Sequence, residues 1–553
     1  MSPLKRTALK RQPDLRSLIA AALSMPLLPV LAGPPEANQL PLGGQVVAGS
    51  ASISQSNASM TITQSSNRAA IDWQSFNLGA QAQVTFAQPS SSSVTLNRVL
   101  DSNPSQIFGR INANGQVFLS NPNGVYFAPG ASVDVGGLVA TTHSIGNSDF
   151  MAGRDSFSRN GAKGSIVNEG ELKSGLAGYI ALLAPSVRNQ GVVIARQGTV
   201  ALAAGESYEL QFVRGSSLAN ILVKPATIAA LVENGQAVQA PGGLIILSAQ
   251  AADRLQGGVV RNSGRLEATG LVSDGGVIRL EASDRIVQSG SIAANAASDS
   301  AGKGGTITVI ADLANPNSQT EISGSLSARA GELGGDGGYV DTSGSHIRIA
   351  DGTRIDTSAP RGNTGSWLID PSDFIISAVN SGTISSGSPS GDISGATLTA
   401  ALASSNVSIL SSAGSTTSGS GNIYVNDTVS WSANTLTMTA AKDIVVNAVM
   451  TASGTSVLAL NPGTANGADA AVTYGTLKMG LGSSGFLGRI DFGTRSGTGM
   501  LSIGGTSYTV LNSLGSAGST TGTDLQGMQG SLSTSYALGA NITATGHVPG
   551  AGA

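Results

Sequence analysis

The sequence contains no cysteine and few charged residues. Without cysteine, the 553-residue chain cannot form a disulfide framework or a thiolate metal site. The absence also suits passage through a narrow pore, because a disulfide would close a loop too wide to thread. Charged residues make up 11% of the chain, against about 25% in ordinary globular proteins. A net charge of −3 without a basic stripe argues against nucleic acid or an anionic membrane as a partner.

Low charge does not here indicate a disordered chain. Hydrophobic residues make up 40% of the sequence and the mean hydropathy is +0.13, so the chain can bury a core. Its 74 glycines alternate with serine, threonine, asparagine, alanine and valine in short runs. This pattern is typical of an extended all-β structure with many turns.

The first 32 residues have the pattern of an export signal. A basic stretch precedes an apolar run, 18–32, that is too short and too interrupted by proline to anchor in a membrane. The sequence predicts cleavage after Ala32, with Ala37 as a second candidate; an amphipathic N-terminal helix is the alternative. No later segment reaches the roughly 20 apolar residues of a membrane span, so we expect a mature protein that is not integral to a membrane.

A loose repeat of two phrases runs from about residue 164 to 360. Asn-x-Gly occurs at 168–170, 189–191 and 262–264; Gly-Gly before alternating apolar residues occurs at 242–247, 275–280, 304–309 and 337–340. Spacings of roughly 20 to 33 residues fit one or two coils of a solenoid. We expect Asn-x-Gly to supply left-handed backbone at the corners. The sequence predicts an all-β fold, a right-handed parallel β-helix, with an array of β-sandwiches as the alternative.

The stretch from Ile111 to Ala131 is predicted to form strand, turn, strand and turn. Asn121-Pro122-Asn123-Gly124 has the residue types favoured at the four positions of a type I turn. Apolar β runs lie on both sides, at 117–119 and 125–127. Aromatic residues are concentrated between 70 and 130, and we expect this well-packed region to cap the helix; a separate small domain is the alternative.

This stretch resembles the NPNG signature of filamentous-haemagglutinin-like exoproteins, the secreted half of bacterial two-partner secretion. Further matching phrases lie at 52–53, 71–73, 76–77, 84–86, 96–99 and 107–111, and the resemblance covers residues 40–300. It implies that an outer-membrane transporter recognises the N-terminal domain. The recognition residues that it implies are Asn121, Pro122, Asn123 and Gly124, with Asn97 and Arg98 as weaker candidates.

The resemblance and the composition together predict four regions. They are a signal peptide (1–32), a two-partner-secretion domain with an N-terminal cap (38–300), β-helix extension repeats (301–362) and a low-charge, Ser/Thr/Gly-rich β region (363–553) that we expect to be truncated. We expect a protein secreted through the periplasm of a Gram-negative bacterium to act at the cell surface as an adhesin. Its receptor, on a host cell or an extracellular polymer, stays open.

The sequence offers little for catalysis. His143, His346 and His547 are far apart and are each expected to be exposed loop residues, and no nucleophile elbow or metal-binding phrase occurs. Gly334–Gly338 is expected to be a plain turn, with a calcium site as the alternative. We therefore expect a protein that is not an enzyme and has no catalytic residue, metal or cofactor. Alternative functions are binding of haem or a haem carrier, the stalk of a contact-dependent toxin without its toxin domain, and a polysaccharide lyase.

Overall fold

The computed structural model describes residues 33–213, 217–252, 257–378, 391–412, 419–464, 475–483 and 485–543. The predicted signal peptide and His547 lie outside these residues. The Ser/Thr/Gly-rich stretches 381–394 and 411–421 are predicted from sequence to be flexible loops or decorated turns, and most of both also lies outside these residues. Residues Pro35–Ala553 belong to one compact unit.

Strands and short helices follow one another along the described chain. The first are β1 Gln45–Ala48, β2 Ala51–Ser56, β3 Ser59–Gln64, β4 Arg68–Trp73, β5 Gln83–Ala87, β6 Val94–Val99, β7 Ser105–Ile107, β8 Arg110–Ala113, β9 Gln116–Ser120, β10 Val125–Phe127, β11 Ser132–Thr141, α1 Asn147–Met151 and β12 Ser156–Ser158. Next come β13 Ser165–Asn168, β14 Glu171–Leu183, β15 Ser186–Asn189, β16 Val192–Ile194, β17 Thr199–Ala204, β18 Ser207–Val213, β19 Ser217–Lys224, β20 Ala230–Asn234, β21 Ala237–Gln239, β22 Leu244–Ala249, β23 Gly258–Asn262 and β24 Arg265–Glu267.

The second half continues in the same style. It contains β25 Val277–Ala282, β26 Arg285–Gln288, β27 Ser291–Ala293, β28 Thr306–Ala311, β29 Gln319–Ile322, β30 Ser325–Ser327, β31 Tyr339–Ser343, β32 His346–Ile349, β33 Arg354–Asp356, β34 Ser366–Asp370, β35 Phe374–Ile376, α2 Gly395–Leu402 and β36 Asn406–Ser411. The last are β37 Ile423–Val425, β38 Val429–Trp431, β39 Thr435–Ala440, β40 Ile444–Val446, β41 Val449–Ala452, β42 Val457–Asn461, β43 Leu477–Met479, β44 Leu481–Gly482, β45 Gly485–Phe486, β46 Arg489–Asp491, β47 Gly497–Ile503, β48 Thr506–Leu511, a 3₁₀ helix Gln526–Gly530 and β49 Tyr536–Leu538.

Most strands belong to three parallel ladders, and from β6 to β33 each coil of the chain contributes to all three. The broad face runs β4-β6-β9-β11-β14-β17-β22-β25-β28-β31-β34-β36-β39-β42. The nine-stranded sheet runs β7-β10-β13-β15-β20-β23-β26-β29-β32. The narrow face contains β16-β21-β24-β27-β30-β33. Alternate side chains from all three faces fill one continuous interior, so the predicted parallel β-helix is confirmed.

Antiparallel strands close the N-terminal end of the ladder, where β1 pairs with β4 and β2 with β3. The segment before β1 packs on the first coils, because the Gln81 N–H donates to the Ala37 carbonyl over 2.8 Å. Cleavage of the chain after Ala37 would cut directly beside that carbonyl. The position of signal cleavage, after Ala32 or after Ala37, stays a prediction.

The Asn-x-Gly phrases do not supply left-handed corners, which corrects the expectation from sequence. None of the six residues Asn168, Gly170, Asn189, Gly191, Asn262 and Gly264 has a positive φ. The asparagines instead form a buried ladder inside the solenoid. Asn168 donates to Asn189, Asn189 to Asn234 and Asn234 to Asn262 over 2.7–2.8 Å, and Asn262 donates to Gln288 over 2.7 Å. Each amide thereby bonds the next coil as well as its own turn, where Asn168 Oδ1 accepts the Gly170 N–H over 3.2 Å and Asn189 Oδ1 accepts the Gly191 N–H over 3.3 Å.

The second glycine of each Gly-Gly phrase stacks on its equivalent in the preceding coil. A Cβ at Gly276, Gly305, Gly338 or Gly365 would lie 2.1–2.2 Å from the carbonyl oxygen of the glycine one coil earlier. A contact this short leaves no room for a side chain, so the column requires glycine. Because Gly365 stands on Gly338, the column also crosses residue 362.

The broad face continues past residue 362 without a break. β31 pairs with β34, and the ladder goes on through β36, β39 and β42 to β47. The change to a Ser/Thr/Gly-rich composition therefore does not mark the end of the β-helix. Helix α2 packs between β33 and β38, in the place where the narrow face would otherwise have a strand. Ser394, the last residue of the first predicted loop, caps α2 by accepting the Thr397 N–H over 3.2 Å.

A second hydrophobic core lies on the outer side of the broad face. Helix α1 and the antiparallel sheet β12-β18-β19 cover this side of the secretion-domain coils. Phe118 is fully buried there, with its ring centroid 6.1 Å from that of Phe150 and 5.9 Å from that of Phe157. Strands β9 and β17 are buried on both sides, which explains their unbroken apolar runs.

The candidate recognition site at the Asn121–Gly124 turn

The Asn121–Gly124 turn connects β9 of the broad face to β10 of the nine-stranded sheet. The Gly124 N–H donates to the Asn121 carbonyl over 2.9 Å, so the predicted β-turn forms. Gly124 has φ +119°, and a Cβ there would lie 2.7 Å from the Ser165 carbonyl oxygen. The turn therefore needs glycine at its fourth position both for its backbone and for the packing of the next coil.

Asn121 is fully buried and holds the base of the turn. Its side-chain amide donates to the Asn103 carbonyl and to Ser105 Oγ, both over 3.0 Å. Its Oδ1 accepts the Asn123 N–H over 2.9 Å, and its own N–H donates to the Thr141 carbonyl over 2.9 Å. Asn121 thus joins three segments of chain and presents no side-chain surface to a partner of the folded domain.

Pro122 and Asn123 form the exposed tip of the turn. The Asn123 amide donates to the Asp101 carbonyl over 2.7 Å, and the Pro122 carbonyl accepts the Gly164 N–H over 3.2 Å. The tip is therefore held by the coil before it and the coil after it. Such bracing gives the exposed groups a fixed shape before any partner binds.

The structure brings Arg98, but not the side chain of Asn97, to the surface beside this turn. Arg98 is in register with Ser120, the residue that precedes Asn121, and its guanidinium lies 2.7 Å from Asp72 Oδ1. Asn97 is fully buried, and it accepts the Trp73 indole N–H over 3.0 Å. Asn97 is thus placed to support the core, and Arg98 to line the surface.

Tyr126 and Glu169 extend the exposed rim and are not among the residues singled out by sequence. The Tyr126 hydroxyl donates to Glu169 Oε2 over 2.5 Å. Partial burial, followed by this hydrogen bond, raises the pKa of Tyr126 to about 12. The Phe108 ring lies with its centroid 5.9 Å from that of Tyr126. Strand alternation after the turn is the sequence signal that places Tyr126 outward.

His143 is buried rather than exposed, which corrects the prediction from sequence. Its Nε2 lies 3.1 Å from the Gly205 carbonyl oxygen, and its ring centroid is 4.6 Å from that of Tyr208. Burial lowers the pKa of His143 to about 4, so the imidazole is neutral near pH 7. His346 lies in strand β32, half-buried, and is also not an exposed loop residue.

The described residues contain no group of three or more His, Cys, Asp or Glu side chains placed to hold a metal ion. Within the same part of the chain, no helix is long and apolar enough to cross a membrane.

Comparison with known proteins gives a family match in the first part of the chain. Residues 37–294, which include the turn and its bracing coils, match the family described as the TPS secretion domain. A heme/hemopexin-binding protein of Haemophilus influenzae is 33% identical over 255 residues, which are 45% of this chain and 28% of the relative. A second Haemophilus influenzae protein of that name is 30% identical over 260 residues, 43% of this chain and 28% of its own length. The chain thus spans under a third of the length of these relatives.

Among solved structures, the HMW1 secretion domain from Haemophilus influenzae aligns with 79% of this chain and 99% of its own, at 20% identity and a TM-score of 0.49. The family match covers the closed N-terminal end, the Asn121–Gly124 turn and the outer second core. Residues 37–294 are therefore a TPS secretion domain.

Proposed function

We propose that this exoprotein leaves a Gram-negative cell through a dedicated outer-membrane transporter that recognises residues 37–294, and that it then acts at the cell surface as an adhesin-like structural protein. The observation that carries the export role is the braced turn. Its tip, Pro122 and Asn123, is exposed, while Asn121 fixes the tip from below through buried hydrogen bonds. Arg98 and Tyr126 flank the tip and complete a surface for a protein partner.

Transport through a narrow pore leaves two ways in which the turn can be recognised. In a folded domain only the exposed groups can touch the transporter, whereas in an unfolded chain Asn121 and Asn97 are equally accessible. Because Asn121 is buried in the folded domain, its direct contact with the transporter is possible only if the unfolded chain is recognised. An export signal read in the folded state depends on Asn123 directly and on Asn121 only through the shape of the turn.

The chain contains its own control for this experiment. Asn315-Pro316-Asn317-Ser318 forms a similar turn, in which Asn315 Oδ1 accepts the Asn317 N–H over 3.1 Å and the Ser318 N–H donates to the Asn315 carbonyl over 2.9 Å. Asn317 is exposed, as Asn123 is. This second turn lies beyond the matched secretion domain.

The test compares secretion of Asn123→Ala and Asn317→Ala in cells that express the transporter. We expect Asn123→Ala to reduce the secreted fraction at least fivefold and Asn317→Ala to leave it unchanged, at equal stability of the purified proteins. Normal secretion of Asn123→Ala, with export still dependent on the transporter, would contradict a recognition role for the tip.

The adhesive role is supported by the shape of the ladders. Parallel coils present long outward faces, and on β28, β36 and β39 these carry serine and threonine, which suit repeated contacts with a polymer or a cell surface. These residues are Thr306, Thr308, Ser408, Thr437 and Thr439. We expect multivalent, density-dependent binding to cells and no hydrolase or lyase turnover on polysaccharides. Turnover that disappears when one Asp or Glu is replaced would favour an enzyme instead.

Binding of haem or of a haem carrier is the second candidate. It is favoured by the name of the two Haemophilus influenzae relatives, heme/hemopexin-binding protein. Titration of the secreted protein with haem, followed by absorbance, and capture on immobilised hemopexin test it. Saturable binding in either assay would support this function over simple adhesion.

A further inference from the structure

Asparagine is followed directly by glycine at 114–115, 123–124, 160–161, 234–235 and 466–467. The first four pairs lie within the residues that the structure describes. In such a pair the backbone nitrogen of the glycine can attack the side-chain carboxamide of the asparagine, because glycine has no side chain that shields its nitrogen. The attack needs a glycine N–H without a hydrogen-bond partner and a carboxamide that can turn towards it. The fold therefore decides which pair reacts.

In three of the four described pairs the glycine N–H is held in a hydrogen bond. The bonds run from Gly115 to Gln88 Oε1 over 2.9 Å, from Gly124 to the Asn121 carbonyl over 2.9 Å and from Gly235 to the Asn189 carbonyl over 2.8 Å. Each of these glycines is at least partly buried. The attacking nitrogen is thus engaged before any reaction begins.

The carboxamides of the same three pairs are held as well. Asn114 donates to the Gln88 carbonyl and accepts the Gln88 N–H, both over 2.8 Å. Asn123 donates to the Asp101 carbonyl over 2.7 Å, and Asn234 belongs to the buried asparagine ladder. Attack in any of these pairs requires local opening that breaks bonds of both partners, so the folded state protects them.

Asn160 and Gly161 are exposed at the tip of a turn that the Ala162 N–H closes by donating to the Arg159 carbonyl over 2.9 Å. Their φ angles are +48° and +83°, as in a type I′ turn. In the described part of the chain no hydrogen bond uses the Gly161 N–H, and nothing lies within 4 Å of a Cβ built there. The Asn160 carboxamide is held by an exposed bond, from Nδ2 to Ser144 Oγ over 2.7 Å.

We propose that Asn160 is a site of spontaneous deamidation in the folded protein. The Gly161 nitrogen gives its proton to water and bonds to Asn160 Cγ. The Cγ–Nδ2 bond breaks, and Nδ2 takes up a proton and leaves as ammonia. Water then opens the resulting cyclic imide at one of its two carbonyl carbons, which yields aspartate or isoaspartate at position 160.

The product changes a loop that adjoins the recognition turn. A carboxylate replaces the donor that now bonds Ser144, and isoaspartate adds one carbon to the backbone inside the closed turn. Gly164, which ends this loop, donates its N–H to the Pro122 carbonyl over 3.2 Å. Aged molecules therefore differ from newly made ones beside the exposed tip at Pro122 and Asn123. The inference does not rest on the proposed function, because the chemistry needs only water.

The test incubates the full purified chain at pH 8 and 37 °C and follows each pair by peptide mass spectrometry. Conversion adds about 1 Da, and chromatography separates the aspartate and isoaspartate peptides. We expect position 160 to convert at least about fivefold faster than positions 114, 123 and 234 in the folded protein. In guanidinium chloride the four rates should converge, because unfolding removes the protection. Equal rates in the folded protein, or faster conversion at 123 or 234 than at 160, would overturn the proposal.

Gly161→Ala provides a second test, because a Cβ shields the attacking nitrogen. We expect it to slow conversion of Asn160 at least about fivefold. Gly130→Ala is the matched control, since Gly130 is also exposed, has φ +86° and has nothing within 4 Å of a built Cβ. It should leave the rate at Asn160 unchanged, after circular dichroism has shown that both variants are folded. An unchanged rate in Gly161→Ala, or an equal slowing in both variants, would contradict attack by the Gly161 nitrogen.

Discussion

Asn121 and Asn123 lie on opposite sides of one turn. The side chain of Asn121 is buried and that of Asn123 is exposed, so their substitution would remove different contacts. Asn121→Ala would delete a buried amide that makes bonds to three segments, so we expect a loss of about 3 kcal/mol in the free energy of unfolding. Asn123→Ala removes an exposed side chain and should cost at most about 1 kcal/mol. Urea unfolding of the purified proteins gives both values, and equal losses would contradict this difference.

His143 makes stability depend on pH. Its pKa is about 4 in the folded protein, because of burial, and about 6.5 in an unfolded chain. The unfolded chain therefore binds the proton first as the pH falls, and stability should decrease between about pH 6.5 and pH 4 by about 3 kcal/mol.

The measurement is the urea midpoint at pH 7 and at pH 4.5, compared with His143→Gln, which keeps a neutral polar side chain. The variant should lose less stability on acidification than the parent protein does. An identical loss in both would assign the acid sensitivity to other groups.

The local turn at 121–124 is predictable from sequence, because its asparagines, proline and glycine determine the backbone over four residues. The burial of Asn121 and of His143 is not. Their partners, Ser105 and Gly205, are 16 and 62 residues away, and only the stacking of coils brings them together.

The asparagine ladder is a structural element that no single coil contains. Asn234 accepts from Asn189 over 2.8 Å and donates to Asn262 over 2.7 Å, so Asn234→Ala would leave both neighbours without their partner. We expect this variant to lose about 3 kcal/mol of stability. Ser263→Ala, an exposed position beside the same ladder, serves as control. Thermal unfolding followed by circular dichroism compares them, and similar melting temperatures would show that the ladder contributes little.

At the scale of elements, the repeat phrases predict the coils correctly but do not predict the contacts that their residues make. Residues of the Asn-x-Gly and Gly-Gly phrases stack in columns that run from coil to coil. In the sequence of one coil alone, the same residues suggest turns. The outer sheet β12-β18-β19 is not predicted from sequence, because it packs on the outer side of coils that other parts of the chain form. The unbroken apolar runs of β9 and β17 are the sequence signal for that second covered side.

The number of coils in the broad-face ladder determines the length of the unit that begins at Pro35. The broad face adds a strand every ~4.8 Å, so about 15 coils make a stack roughly 70 Å long. Small-angle scattering of the secreted protein should show an elongated particle with at least this maximum dimension. A compact, nearly spherical particle of the same mass would contradict the continuous ladder across residue 362.

The glycine column has a consequence for how such a gene can change in evolution. Because Gly305 and Gly338 are equivalent positions, deletion of 306–338 would place β31 on β25, β32 on β26 and β33 on β27 with the inward residues still in phase. A deletion one residue longer or shorter would slip the strand that follows by one position and turn its apolar side chains outward. Duplication or loss of a whole coil therefore preserves the packing of the interior. By such changes this lineage can lengthen or shorten its products while the export domain stays as it is.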